Sequence, residues 1–157
     1  MIRSLKKISM SKNINILWAS MGGTAEGVAD RLNDKATKMG FTTNQQELND
    51  VTMGDFSKMD NVAIVTSTTG EGDLPTNGED FWLDLKESNN SLKTLNYSVC
   101  ALGDRSHDTF CGAGKKVDAK LVELGANKVL DRQECDGSDE GSDQWGNLFL
   151  EKIKTVQ

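Results

Sequence analysis

The chain has 157 residues, a formal net charge of −6 and one histidine. That length fits one domain with a sizeable core. The charge argues against a nucleic-acid partner and for a basic partner or none. A single histidine excludes multi-histidine metal sites, and no apolar run reaches the ~18 residues of a membrane span. The three cysteines, Cys100, Cys111 and Cys135, include no close-spaced pair. Zinc and disulfide frameworks are therefore not expected, and a reducing, cytoplasmic setting is.

Residues 1–12 read as a basic extension carrying Arg3, Lys6, Lys7 and Lys12, without the apolar core of a signal peptide. Met10 is an alternative start, and a short organellar presequence is the other reading. The domain proper is expected over residues 13–157. Its first segment, Ile14 to Ala19, is an apolar strand. The chain then breaks at Ser20-Met21-Gly22-Gly23 and resumes as a helix, with Ala25, Val28, Leu32 and Ala36 on roughly one face. Strand, small polar turn and helix in that order aim backbone N–H groups and the positive helix end at one point. Either the glycines serve only the turn, or the turn holds an anion. The loop lacks the Lys-Ser/Thr close of a Walker loop and the spacing of the dinucleotide fingerprint. If it binds phosphate, it does so through N–H groups and hydroxyls, which suits a monophosphate ester that is held and not cleaved.

Gly40 ends this helix, and Phe41 to Leu48 reads as an edge strand. Val51 to Met59 is a connection with one helical turn. Val62 to Val65 is continuously apolar, as a strand buried on both faces would be. It runs into a second small polar loop, Thr66 to Pro75. A helix follows over about Asn77 to Glu87, then a strand from Tyr97 to Leu102 and a third loop from Gly103 to Gly112. The next helix carries Val117, Leu121 and Leu124 and ends at Gly125. A fifth strand starts over Asn127 to Leu130. Residues 131–143 read as an acidic loop, and a last helix offers Trp145, Leu148, Phe149, Ile153 and Val156 to the core. Alternating strands and helices predict an α/β, doubly wound, five-stranded parallel sheet with helices on both faces. Strand order 2-1-3-4-5 brings the loops after strands one, three and four to one sheet edge.

Taken together, these loops resemble those of flavodoxins. More narrowly, the chain is similar to the FMN domain of diflavin reductases of the sulfite reductase flavoprotein type, and to stand-alone MioC-type flavodoxins. Ser20 to Glu26 follows the phosphate-loop pattern S-x-T-G-T-A-E, with Gly22 where a threonine is usual. Ser67 to Asp73 matches the first isoalloxazine loop, and Leu102 to Gly112 the second, L-G-D-x-x-Y-x-x-F-C. The resemblance implies FMN as cofactor. It assigns the phosphate to Ser20, Met21, Gly22, Gly23, Thr24 and Ala25. It assigns the ring and ribityl chain to Ser67, Thr68, Thr69 and Gly70, and to Leu102, Gly103, Asp104, Arg105, Ser106, His107, Asp108, Thr109, Phe110 and Cys111. Thr69 stands where relatives often place an aromatic, and His107 where they usually place a tyrosine. His107 either stacks on the flavin or is an exposed loop residue. Cys111 is expected to pack the loop as a small buried group. A peptide at Gly70 has the freedom to turn a carbonyl toward flavin N5.

Glu71, Asp73, Asp104, Asp136, Asp139, Glu140 and Asp143 form either an acidic docking rim or ordinary solvated loop charge. No nucleophile–base pair is evident. The implied function is electron transfer by a monomer, a low-potential shuttle between an NAD(P)H-dependent flavoprotein reductase and a basic-faced acceptor enzyme. An FMN-binding accessory protein of MioC type is the alternative. A phosphorylated receiver is set aside, because Ser20-Met21 and Thr66-Ser67 stand where its acidic residues would be.

Overall fold

The computed structural model describes residues 12–156. Of the basic N-terminal stretch, residues 1–11 lie outside the described residues. Lys12 is tied to the far end of the chain. Its Nζ donates to the carbonyls of Ile153 (2.7 Å), Lys154 (3.2 Å) and Val156. A cation there complements the negative end of the last helix, where the intrahelical donors run out.

The strands are β1 (Asn13–Ala19), β2 (Thr42–Glu47), β3 (Asn61–Thr66), β4 (Asn96–Gly103), β5 (Asn127–Lys128) and β6 (Gln133–Asp136). The helices are α1 (Thr24–Lys38), α2 (Met53–Phe56), α3 (Thr76–Glu87), α4 (Gly112–Glu123) and α5 (Ser142–Thr155), with a 3-10 turn at Leu48–Asp50. All pairings in the sheet are parallel, in the order β2-β1-β3-β4-β5, with β6 also on β4. The order is the one expected. The fifth position, however, is shared by two segments. β5 pairs with Asn96 and Tyr97, β6 with Cys100 to Gly103, and residues 129–132 interrupt the edge. The loop expected over 131–143 thus contains a strand. Its residues Gln133, Glu134 and Asp136 are polar, and only Cys135 is buried, so no apolar run marks it.

The sheet is buried on both sides. Leu17, Ala19, Val62, Ile64, Tyr97, Val99 and Ala101 face α3 and α4, where Phe81, Leu85, Val117 and Leu121 meet them. Ile14, Ile16, Ala63, Val65, Cys100 and Leu102 face α1 and α5, against Val28, Leu32, Trp145 and Phe149. Alternate residues of one strand therefore serve opposite layers, which is why β1, β3 and β4 read as continuous apolar runs. Leu148, expected in the core, is 46% exposed. Trp145, Phe149 and Ile153 form the inward stripe with Gly146 and Leu150 on its flank, and Leu148 falls on the outer side.

Two glycines set how closely the second helical layer approaches. A Cβ on Gly78 of α3 would lie 2.7 Å from Ala19 Cβ, and a Cβ on Gly114 of α4 would overlap Ala101 Cβ. Both contacts lie at the ends of strands that lead into the glycine-rich loops.

A charged cluster braces the interrupted edge. Asp118 of α4 is 1% exposed. It accepts from Tyr97 Oη at 2.5 Å and Arg132 Nη1 at 2.5 Å, with Lys128 Nζ at 3.3 Å. Arg132 also reaches Glu134 at 2.8 Å. The bonds from Lys128 and Arg132 to Asp118 flank the 129–132 gap in the β-ladder and tie it to α4.

Candidate functional site

The loops after β1, β3 and β4 meet at the C-terminal edge of the sheet. Between them lies a cavity of about 450 Å³, within the ordinary range for small-molecule sites. Thr24, Ser67, Thr68 and Gly70 line one part. Leu102, Gly103, Asp104, His107, Thr109, Phe110 and Cys111 line another, and Gly137 and Ser138 close it. Ser20, Met21, Gly22, Gly23 and Ala25 lie beside this cavity in the turn that leads to Thr24. Thr69, Arg105, Ser106 and Asp108 stand on the same loops outside the lining. Gly137 and Ser138 belong to the loop after β6, within the stretch expected only as an acidic loop. The signal that marks them is the one that marks the other loops, small polar residues at a strand's end.

The first loop is organised by Ser20. Its Oγ accepts from the N–H of Gly23 at 2.8 Å and of Ala25 at 3.3 Å, so it caps α1 from three residues upstream of Gly23. Gly23 takes φ 91°, which side chains rarely adopt, and this turns the chain sharply into the helix. A Cβ on Gly22 would meet nothing within 4 Å, so the position has room for the hydroxyl side chain usual in the resemblance. The arrangement leaves a helix N-terminus facing the cavity edge, with no lysine or arginine among the lining residues. A helix N-terminus of this kind favours an anion through its dipole and the N–H groups that Ser20 Oγ does not engage.

The second loop is a tight turn. Thr69 and Asp73 exchange two backbone hydrogen bonds of 2.8 Å, with Gly70 at φ 51° and Gly72 at φ 88°. Gly72 packs on the third loop. A Cβ on Gly112 would lie 2.8 Å from Gly72 Cα, so the two loops touch backbone to backbone. Ala113 N–H adds a bond to Thr68 Oγ1 at 3.4 Å.

The third loop folds on Asp104. Its Oδ1 accepts from Ser106 N at 2.9 Å and Ser106 Oγ at 2.7 Å, and these bonds hold the carboxyl below the usual carboxylate range. His107 N donates to Asp104 O at 3.0 Å, which leaves the exposed imidazole along the cavity wall. The Arg105 guanidinium lies 4.4 Å over the Phe110 ring and pairs with Asp136 at 3.5 Å. Cys111 takes φ 53°, a rare conformation for a residue with a Cβ. It is fully buried, and burial with nearby Glu134 pushes its thiol up to about 11. A protonated, buried thiol is a packing group and not a nucleophile, as expected for it. Cys100 and Cys135 behind it are also buried, with their sulfurs 3.9 Å apart.

The acidic rim is less free than its residue count suggests. Asp73 pairs with Lys116, Asp136 with Arg105, and Asp139 and Asp143 both with Arg31. Among the described residues, Glu71, Asp104 and Glu140 have no ion-pair partner.

Fold and site define a class, and comparison with known proteins agrees with it. The flavodoxin family model matches residues 16–146. The chain is 34% identical over 139 residues to the sulfite reductase (NADPH) flavoprotein alpha-component of Bacillus subtilis (strain 168), covering 87% of this chain and 23% of that protein. The corresponding component from Vibrio vulnificus (strain CMCP6) is 35% identical over 144 residues, covering 90% and 23%. The chain thus spans about a quarter of the length of these relatives. A flavodoxin from Streptococcus pneumonia TIGR4 superposes with a TM-score of 0.80 at 31% identity, over 92% of this chain and 99% of that one. The chain belongs to the flavodoxin family. FMN is the cofactor of that family, and electron transfer is its role. The residues present fit that cofactor: a cation-free helix N-terminus for a phosphate ester stands beside a cavity whose walls touch through glycine. No helix among the described residues is long and apolar enough to cross a membrane.

Proposed function

We propose that the chain is a cytoplasmic, monomeric, FMN-dependent shuttle that takes electrons from a separate NAD(P)H-dependent flavoprotein reductase and passes them to a basic-faced acceptor. The observation that carries this reading is the meeting of three loops on one cavity beside an uncharged phosphate-type turn. FMN supplies the one- and two-electron chemistry. The protein's part is to hold and insulate. The turn from Ser20 to Ala25 would hold the phosphate through N–H groups and the Thr24 hydroxyl. Ser67 to Gly70 and Leu102 to Cys111 would flank the ring and ribityl chain, with His107 along one wall. Gly70, at φ 51° with only Asp73 Oδ2 near a would-be Cβ (3.4 Å), keeps a peptide free to turn toward N5.

The exposed Glu71, Asp104 and Glu140 at the site's edge favour a basic partner surface. With a generic flavodoxin reductase and NADPH, the FMN-loaded chain is expected to support cytochrome c reduction. The rate should fall as ionic strength rises from ~0.05 to ~0.3 M, because exposed charges are screened. A loaded chain that the reductase cannot reduce would favour the accessory role over the shuttle. A rate indifferent to salt would remove the docking rim.

A further inference from the structure

We propose that Asn77 is the positioning residue of the phosphate turn and thereby sets the chain's preference for FMN over riboflavin. This rests on reading the cavity as a flavin site. Asn77 is the second residue of α3 and does not line the cavity. Its side chain bridges two elements that are remote in sequence. Oδ1 accepts from Ser20 N at 3.1 Å, and Nδ2 donates to Glu47 Oε1 at 2.9 Å. The partners fix the amide's orientation, since a backbone N–H only donates and a carboxylate only accepts.

The Ser20 peptide held in this way carries the hydroxyl that gathers the N–H groups of Gly23 and Ala25. A continuous set of bonds therefore runs from the end of β2, through α3, to the first turn of α1. Its base is rigid. Asn49 Nδ2 donates to Thr76 O at 2.8 Å, and Asn49 Oδ1 accepts from Phe81 N at 3.0 Å. Gly78 presses α3 onto Ala19, the residue just before Ser20. Without the amide, the Ser20 peptide loses its only side-chain anchor among the described residues, and the turn that Ser20 Oγ closes on Gly23 and Ala25 loses its fixed place at the cavity edge. The isoalloxazine loops share none of these bonds. The consequence is confined to the phosphate end, and riboflavin has no phosphate.

The test is a pair of binding titrations on the apoprotein, one with FMN and one with riboflavin, followed by quenching of flavin fluorescence. Asn77→Leu is expected to weaken FMN about tenfold, the scale of one hydrogen bond lost from the turn that positions the charged group. Riboflavin affinity should stay within about twofold. Asn77→Asp keeps the acceptor for Ser20 but sets a carboxylate against Glu47, and should also weaken FMN. Adding Glu47→Gln restores a donor opposite that carboxylate, and FMN affinity should return to within about threefold of the wild type. Equal loss of FMN and riboflavin, an unchanged preference, or no recovery in the double variant would overturn the proposal. The double variant keeps the test open if Asn77→Leu fails to fold. A wild-type chain that takes up neither flavin overturns the flavin reading itself, and this proposal with it.

Discussion

Gly114→Ala is expected to lower the melting temperature by about 2–8 °C and to weaken FMN binding, although alanine is the better helix former. Two effects oppose each other. Alanine in a helix interior gains about 1 kcal/mol over glycine. Against this, the added methyl would overlap Ala101 Cβ and lie 3.2 Å from Ala101 Cα and 3.4 Å from Val99 Cγ1. Carbon atoms prefer about 3.5–4.0 Å. Ala101 is paired on both sides in the sheet and Val99 is paired with β3, so the helix must give way. Overpacking of this kind costs about 1–3 kcal/mol, and backbone contact puts it toward the upper end. The steric term wins by about 1–2 kcal/mol, at about 2–4 °C per kcal/mol for a chain of this size. The displaced helix begins at Gly112, against Gly72, so the cavity wall moves with it. Gly54→Ala in α2 is the control: its Cβ would have only Thr52 Oγ1 near, at 3.9 Å, and it should be neutral or slightly stabilising. A Gly114→Ala protein as stable as the wild type would show that this close approach is not a constraint.

Asp118→Ala should be more damaging, with a loss of about 3 kcal/mol in denaturant unfolding. The substitution leaves buried Tyr97 Oη with only the long bond to the residue-118 carbonyl (3.4 Å) and strands the charge of Arg132. The low end of the usual 3–5 kcal/mol range for breaking a buried pair applies. Arg132 and Lys128 keep 25% and 33% of their side-chain surface in water and can rehydrate. Asp118→Asn, which keeps an acceptor for Tyr97, should fall between. Combining Asp118→Leu with Tyr97→Phe and Arg132→Met should recover much of the loss, since an apolar replacement of a whole buried cluster is often close to neutral. If Asp118→Ala unfolds at the wild-type denaturant concentration, the cluster does not brace the interrupted edge.

That edge is also where the sequence was hardest to read. β1, β3 and β4 announce themselves because both their faces are buried, which demands consecutive apolar residues. β6 has one buried side chain, Cys135; of its charged neighbours, Glu134 is held by Arg132 two residues away, and Asp136 by Arg105, distant in sequence. No local pattern encodes Arg105 as a partner. The three loops were legible because each ends a readable strand and is rich in glycine and hydroxyl residues. Gly137 and Ser138 share that signature but follow β6, whose polar residues leave no strand pattern, so the sequence marks them only as part of an acidic loop. Asn77 was invisible for a different reason. It looks like any polar residue in a first helical turn, and only the tertiary fold sets it against Ser20 and Glu47. Leu148 shows the limit of helical periodicity, since the shoulder of an apolar stripe can face either way.

The cavity among the three loops is expected to hold FMN. Purified apoprotein titrated with FMN tests it most directly, read by flavin fluorescence and by the visible bands near ~370 and ~450 nm that belong to the cofactor. The expected result is one FMN per chain, quenched fluorescence and a yellow protein that survives gel filtration. A colourless protein whose added FMN stays free and fully fluorescent would contradict the account.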